Sequence, residues 1–377
     1  MKCRKHCIVI FIYLTFIHKS YEENVEYGDY EDSEASYEEQ KTCVSPAEYF
    51  QMKNTESNIC ISGNSGDIPN STLHENYFHN TPNVRELEVR WLVNRVDKHA
   101  FSNLTKLNIL ILNMTRISDL PHEVFQGLPL TDIFIRKSDI SVIQPGTFEH
   151  LPTLESLTIT SSRLRHLTYN TVPHNNVTSL DYAYNQIEVI EPTAFNNINN
   201  LEYLFLTENK ISAFDFEEYL KDNLQLKILD MGSNLLTTVN QINLPNLIEL
   251  DLNANQITTI VPGAFKNCKK LEKLIVSYNK LKTFHTNLLP VNGLNKLKLF
   301  DISDNQIACI PRGTLDLFPN LLLVFWSDNP ISCDCLHEII IWMEKKKIPV
   351  SSSTTRNNPC GFNESNNSSK NSDTPKY

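Results

Sequence analysis

The sequence predicts an α/β solenoid: short parallel strands in a curved sheet on the concave face, an irregular or short-helical convex side, and a disulfide cap at each end. Three observations predict it. A pattern of apolar residues recurs about every 24 residues from Val84 onward, and a fixed period of that size marks a repeat architecture. Cysteines flank the repeating region on both sides, with Cys43 and Cys60 before it and Cys333, Cys335 and Cys360 after it. The composition is that of a folded chain, with 377 residues, 41% hydrophobic, 21% charged and only 10 Gly, which excludes wholly disordered and collagen-like classes. No stretch reaches the ~18 consecutive apolar residues of a standard transmembrane helix, so no membrane anchor is expected. The net charge of −10 argues against nucleic acid as a partner.

Residues 1–20 read as a secretory signal. Lys2, Arg4 and Lys5 form a basic start, and Ile8 to Ile17 a short apolar run of the right length, with cleavage expected near Ser20. Residues 21–41 form an acidic tail expected to be disordered: nine Asp and Glu lie between Ser20 and Gln40, interspersed with Tyr21, Tyr27, Tyr30 and Tyr37. Removal of the signal leaves seven cysteines, an odd number, so at least one is free or bonded to another chain. Sequons for N-glycosylation fall at Asn70, Asn103, Asn113, Asn176, Asn363, Asn366 and Asn367. Residues 42–83 are assigned to an N-terminal cap in which Cys43 pairs with Cys60.

Residues 84–331 hold the repeats. Each begins with an apolar residue, has further apolar residues at offsets three, five, ten and thirteen, and an Asn-like residue at offset eight; Leu247-Leu250-Leu252-Asn255-Ile257-Ile260 is a clear copy. Starts fall at Val84, Leu107, Leu130, Leu154, Val177, Leu201, Leu226, Leu247, Leu271, Leu297 and Leu321. Many copies add an aromatic at offset eighteen, such as Phe125, Phe148, Phe195 and Phe265. A single repeat cannot bury its own apolar face, so neighbours must stack into one continuous core. The alternation at offsets three and five points two side chains inward from a short strand.

This pattern resembles the extracellular leucine-rich repeat family. The resemblance implies that the offset-eight asparagines, Asn185, Asn209, Asn234, Asn255, Asn279, Asn305 and Asn329, form a ladder bonding backbone groups where the chain leaves each strand. The first four repeats depart from it, with Leu92, Thr115, Ser138 and Ser162 at that position. Residues 332–360 resemble the family's C-terminal cysteine cap, which implies a Cys333–Cys360 bond and an amphipathic helix with Leu336, Ile339, Ile340 and Met343 on one face. The family's fourth cap cysteine is missing, so Cys335 is left free, bonded to another chain, or joined to Cys309, with an interchain bond in a disulfide-linked oligomer as its candidate role. Cys268 is expected to be a buried, inert thiol. Residues 361–377 form an Asn/Ser-rich tail expected to be disordered.

No catalytic or cofactor motif is present: there is no Gly-x-Ser-x-Gly, phosphate-binding glycine loop, His-Glu-x-x-His or Cys-x-x-Cys. An enzyme is not expected, and neither a metal nor a cofactor is implied. A solenoid of this kind binds through its concave sheet. The side chains facing outward there, at offsets two, four, six and seven, supply the candidates. Trp91, Phe134, Tyr184 and Phe205 are expected anchors, because aromatic residues dominate interface energetics. Asp230, Asp251 and Asp301 form an acidic column suited to a basic partner. The plan resembles insect leucine-rich immune proteins and, through its acidic tyrosine tail, the small leucine-rich proteoglycans. The expectation is a secreted, extracellular recognition protein that binds a protein or glycan, in innate immunity. The alternatives are an extracellular-matrix organiser and a soluble receptor-like ectodomain.

Overall fold

The computed structural model describes residues 43–49, 57–63, 72–75, 77–79, 81–348 apart from 92, 175, 291 and 312, and residue 360. The signal segment, the acidic tail, the C-terminal tail and Leu92 lie outside these residues. From Val44 onward the chain is a parallel-strand solenoid. Its main sheet has twelve strands among the described residues: β1 (Asn58–Gly63), β2 (Glu86–Trp91), β3 (Ile109–Asn113), β4 (Asp132–Arg136), β5 (Ser156–Thr160), β6 (Ser179–Asp181), β7 (Tyr203–Phe205), β8 (Ile228–Asp230), β9 (Glu249–Asp251), β10 (Lys273–Ile275), β11 (Leu299–Asp301) and β12 (Leu323–Phe325). Spatial order follows chain order, and each neighbouring pair is parallel.

The register repeats the sequence period. Leu87, Leu110, Ile133, Leu157 and Leu180, all at offset three, face one another rung by rung and have no exposed surface. Offset five completes the inward row, from Val89 to Trp326. One member of that row is a tyrosine: Tyr182 is wholly buried, and its hydroxyl has no hydrogen-bond partner among the described residues. On the convex side the phenylalanines stack. Phe78, Phe101, Phe125 and Phe148 follow one another with ring centroids 5.6 to 6.0 Å apart. Among the described residues, convex connections are turns with two-residue strand pairs, such as Asp119–Leu120 on Val142–Ile143, three 3-10 helices of three residues, and one short α-helix, Phe216–Tyr219, capped by Asp215.

The asparagine ladder binds each repeat to the one before it. Asn209 is typical. Its Oδ1 accepts from the Ile187 N–H at 2.9 Å, and its Nδ2 donates to the Tyr182 carbonyl at 2.9 Å, both one repeat earlier. Asn185 through Asn329 repeat this geometry. In the early repeats hydroxyls stand in its place. Thr115 and Ser138 bond each other at 2.8 Å, and Ser162 donates to the carbonyl of Thr160 in its own repeat. Just before the ladder, at offset seven, Met114, Lys137, Ser161, Tyr184, Glu208, Ser233, Ala254, Tyr278, Asp304 and Asp328 all adopt left-handed backbone with φ between 49° and 56°. From Met114 to Asp304 their N–H groups still reach the next rung, as Tyr184 does to the Thr207 carbonyl at 3.0 Å.

At the N-terminal end, β1 adds the first rung to the sheet, and Cys43 and Cys60 are both disulfide-bonded. At the other end, a helix spans Cys333–Lys346. Ser332 caps its start, Lys345 and Lys346 occupy its last turn, and Cys335, Leu336, Ile339 and Met343 are buried. Cys333 is bonded to Cys360. Cys335 is bonded to Cys309, with Cα atoms 5.6 Å apart, so of its three expected fates the structure selects the one within the chain. This corrects the interchain candidate. The helix start lies over the convex turn of the tenth repeat, where Cys335 Sγ also lies 3.6 Å from the Ile310 carbonyl, and the bond staples the cap to that turn. Cys268 is the free cysteine among the described residues, and burial pushes its thiol up to about 12.

Candidate recognition face

The outward-facing side chains at offset four form a continuous file across the sheet: Glu88, Ile111, Phe134, Thr158, Asp181, Phe205, Asp230, Asp251, Ile275, Asp301 and Phe325. Rungs of a parallel sheet are only about 4.8 Å apart, so each side chain is covered by its neighbours in proportion to their bulk. Outward is therefore not the same as exposed, and the candidate residues divide on this point.

Phe134 keeps an accessible ring. It lies between Ile111 and Thr158, and the guanidinium of Arg136 is poised over it, 5.2 Å from the centroid. Ile109, Ile111 and Arg136 are half-buried around it. Tyr184 is 40% exposed on the rim, beside the start of the ladder. Trp91 ends β2, one rung beyond Gly63; its side chain lies outside the described residues. Phe134, Arg136 and Tyr184 put two aromatic rings and a guanidinium on the N-terminal half of the sheet.

Phe205 is different. It is only 9% exposed, flanked by Asp181 and Asp230 on the adjacent strands, and it has little surface left to offer. The acidic column is also enclosed, with Asp230, Asp251 and Asp301 at 4%, 9% and 6% exposure. Each carboxylate is engaged two residues further along its own chain. Asp230 accepts from the Gly232 N–H at 2.9 Å, Asp251 from the N–H and side chain of Asn253, and Asp301 from the N–H and hydroxyl of Ser303. Asp181 does the same with Ala183. This is the local turn chemistry of aspartate, and it closes each strand. The spacing Asp-x-Gly/Asn/Ser carried that signal in the sequence. Burial, with Asp230 close by, holds the Asp251 carboxyl well above the usual carboxylate range against the bonds from Asn253. Burial also raises Glu249, against the ion pair with Lys273 at 3.2 Å.

Of the sequons, Asn176 is exposed, Asn103 is half-buried, and Asn113 is 9% exposed at the end of β3 between Arg90 and Arg136. Asn70, Asn363, Asn366 and Asn367 lie outside the described residues. Among the described residues no group of His, Cys, Asp and Glu side chains could hold a metal, and no helix is long and apolar enough to cross a membrane.

The family model for the BspA type leucine rich repeat region matches residues 71–202 and 118–241 in six copies, and a leucine rich repeat model matches residues 242–281. The chain is 27% identical over 150 residues to Toll-like receptor 5 of Homo sapiens, which covers 37% of this chain and 17% of that protein. It is 34% identical over 107 residues to lumican of Gallus gallus, covering 28% of this chain and 30% of that one. The chain thus matches less than a third of the length of either relative. Among solved structures, the Toll–Spätzle complex of Drosophila superposes with a TM-score of 0.60 and 19% identity, over 73% of this chain and 38% of that one, which shows a common fold.

Proposed function

Because this chain belongs to the leucine-rich repeat family, we propose that it is a secreted, non-enzymatic recognition protein that takes an extracellular protein or glycan on the N-terminal half of its concave sheet, in innate immunity. The observation that carries this reading is the Phe134–Arg136 pair among half-buried Ile109 and Ile111. It joins an aromatic anchor to a charged donor on a rigid strand, the combination that concentrates binding energy at interfaces. Phe205 and the three aspartates are withdrawn from the contact set, since their surface is enclosed and the carboxylates serve the backbone. Tyr184 and Trp91 remain in it at the rim. Two disulfides in the cap support an oxidising, extracellular setting. The similarity to a Toll-like receptor supports the immune role.

A second reading, an organiser of extracellular matrix, is supported by the similarity to lumican. One experiment separates them. The purified chain and its Phe134→Ala variant are passed over immobilised bacterial peptidoglycan, lipopolysaccharide and fibrillar collagen. The immune reading expects binding to a microbial surface that weakens about tenfold or more in the variant, the loss of one anchor residue. Collagen binding alone would favour the matrix reading. Binding that is equal in both proteins would remove the concave face from either account.

A further inference from the structure

The turns that lead into the ninth and tenth repeats carry Lys266, Lys269, Lys270 and Lys296, all exposed. In a chain of net charge −10 they are a local excess of the opposite sign. Among the described residues none of the four has a carboxylate partner, whereas Lys227, Lys273 and Lys298 nearby are paired with Glu202, Glu249 and Glu272.

The register shows what Lys270 and Lys296 meet in place of a carboxylate. A lysine just before a repeat start reaches back to the equivalent residue one repeat earlier. Lys106 Nζ donates to Asn83 Oδ1 at 2.7 Å, and Lys270 Nζ to Asn246 Oδ1 at 2.6 Å. For Lys296 the equivalent residue is Lys270 itself, so the rung before it presents a cation where an acceptor would be needed. Rungs about 4.8 Å apart hold those two backbones close together, and Lys270 Nζ is turned back onto Asn246, so Lys296 adds a second cation to the same edge with no acceptor in the rung before it. The exposed neighbours Asn267 and Asn295 are amides, and Asn246 beside them is half-buried; no aromatic side chain is exposed among these turns.

We propose that this edge, on the strand-leading side of the ninth and tenth repeats, is a binding surface for a sulfated polysaccharide. A row of ammonium groups interleaved with amides recognises a linear chain of sulfates and hydroxyls by charge and hydrogen bonding. A folded protein would need a desolvated anchor that this edge does not offer. The surface is separate from the Phe134 region, so one molecule can hold a partner on its sheet and a polysaccharide on its edge.

The test uses the full chain on immobilised heparin, with hyaluronan, which has carboxylates but no sulfates, and phosphatidylserine vesicles as comparisons. Saturable heparin binding that weakens as salt rises is expected, with weaker binding to the other two. The variant Lys269→Ala/Lys270→Ala/Lys296→Ala should lose about tenfold or more in affinity and show a shallower salt dependence, while Phe134→Ala binds heparin as the parent does. Lys266→Ala, alone, should give a smaller loss in the same direction. Unchanged heparin binding in the triple variant, no saturable binding to heparin, or equal binding to hyaluronan would overturn the proposal. Tighter binding to vesicles than to heparin would also overturn it, in favour of a membrane surface. All four lysines are exposed, so melting temperatures unchanged from the parent show that the variants report on binding and not on folding.

Discussion

Replacing Asn255 with alanine tests the physical basis of the stack. Asn255 is 7% exposed and makes four bonds. Its Oδ1 accepts from the Leu236 N–H at 2.9 Å, and its Nδ2 donates to the carbonyls of Met231 at 2.9 Å, Leu252 at 3.2 Å and Asn253 at 3.0 Å. Two of these cross to the previous repeat. Asn255→Ala leaves the buried Leu236 N–H without an acceptor, while the three carbonyls each keep another donor: Asn234 Nδ2 for Met231, Asn279 Nδ2 for Leu252 and the Ser233 N–H for Asn253. An unsatisfied buried donor costs about 1–3 kcal/mol, and that is the loss expected here. Asn255→Thr places at this position the residue type found at Thr115. Hydroxyls at offset eight bond within their own repeat or to each other, and none is seen to accept from the earlier N–H. Threonine should therefore recover less than half the loss. The assay is equilibrium urea unfolding followed by circular dichroism and tryptophan fluorescence, since a repeat array can lose cooperativity and the two probes must coincide. Hydrogen exchange at Leu236 gives the local readout and should accelerate in the alanine variant. A loss below about 0.5 kcal/mol with Leu236 still protected would refute the claim that the ladder carries stability between repeats.

Three further outcomes follow from the same geometry. Tyr182→Phe removes a buried hydroxyl that has no partner, so it should raise stability by about 1 kcal/mol in urea, and a lower midpoint would show that the hydroxyl is satisfied in solution. Cys309→Ser opens a loop closed over a sequence separation of 26, which should cost about 3.5 kcal/mol and expose one new maleimide-reactive thiol, Cys335, on denaturation; an unchanged melting curve would count against the staple. Asp251 titrates above its ordinary range in the folded state, so the folded chain binds this proton more tightly than the unfolded one. Its contribution is present in full below the ordinary carboxylate range and is lost as pH rises through the folded value. Asp251→Asn should then melt higher than the parent at pH 7, with a gap that closes on acidification, and a gap constant across pH would contradict the buried charge.

The periodic part of the fold was legible because it depends on contacts that recur. Leu110, Ile133 and Leu157 could be assigned inward from spacing alone, and the phenylalanines at offset eighteen could be seen as a column before their stacking was known. The asparagine ladder was legible for the same reason. Features that depend on a single docking event were legible only as open alternatives. Cys335 meets Cys309 because the cap helix settles on one particular convex turn, and no spacing rule links an exposed cysteine at offset twelve to a helix start 26 residues later. The candidate site was legible in its columns and misread in its exposure. Phe134 and Phe205 occupy the same offset, yet the first keeps accessible surface between Ile111 and Thr158, while the second, between Asp181 and Asp230, is only 9% exposed. Asp230, Asp251 and Asp301 look like a charged face until the N–H two residues on is taken as their partner.

The left-handed column at offset seven has a consequence for how this scaffold can change. An ordinary residue in that conformation carries a penalty of about 1–2 kcal/mol, which glycine would avoid, and not one of the ten positions is glycine. The penalty belongs to the backbone and is nearly the same whichever side chain is present. Methionine, lysine, serine, tyrosine, glutamate, alanine and aspartate all occur there. The rim therefore behaves as a row of interchangeable letters on a fixed line. Its chemistry can be rewritten one residue at a time, with neither the packed rows inside nor the ladder beside it obliged to change.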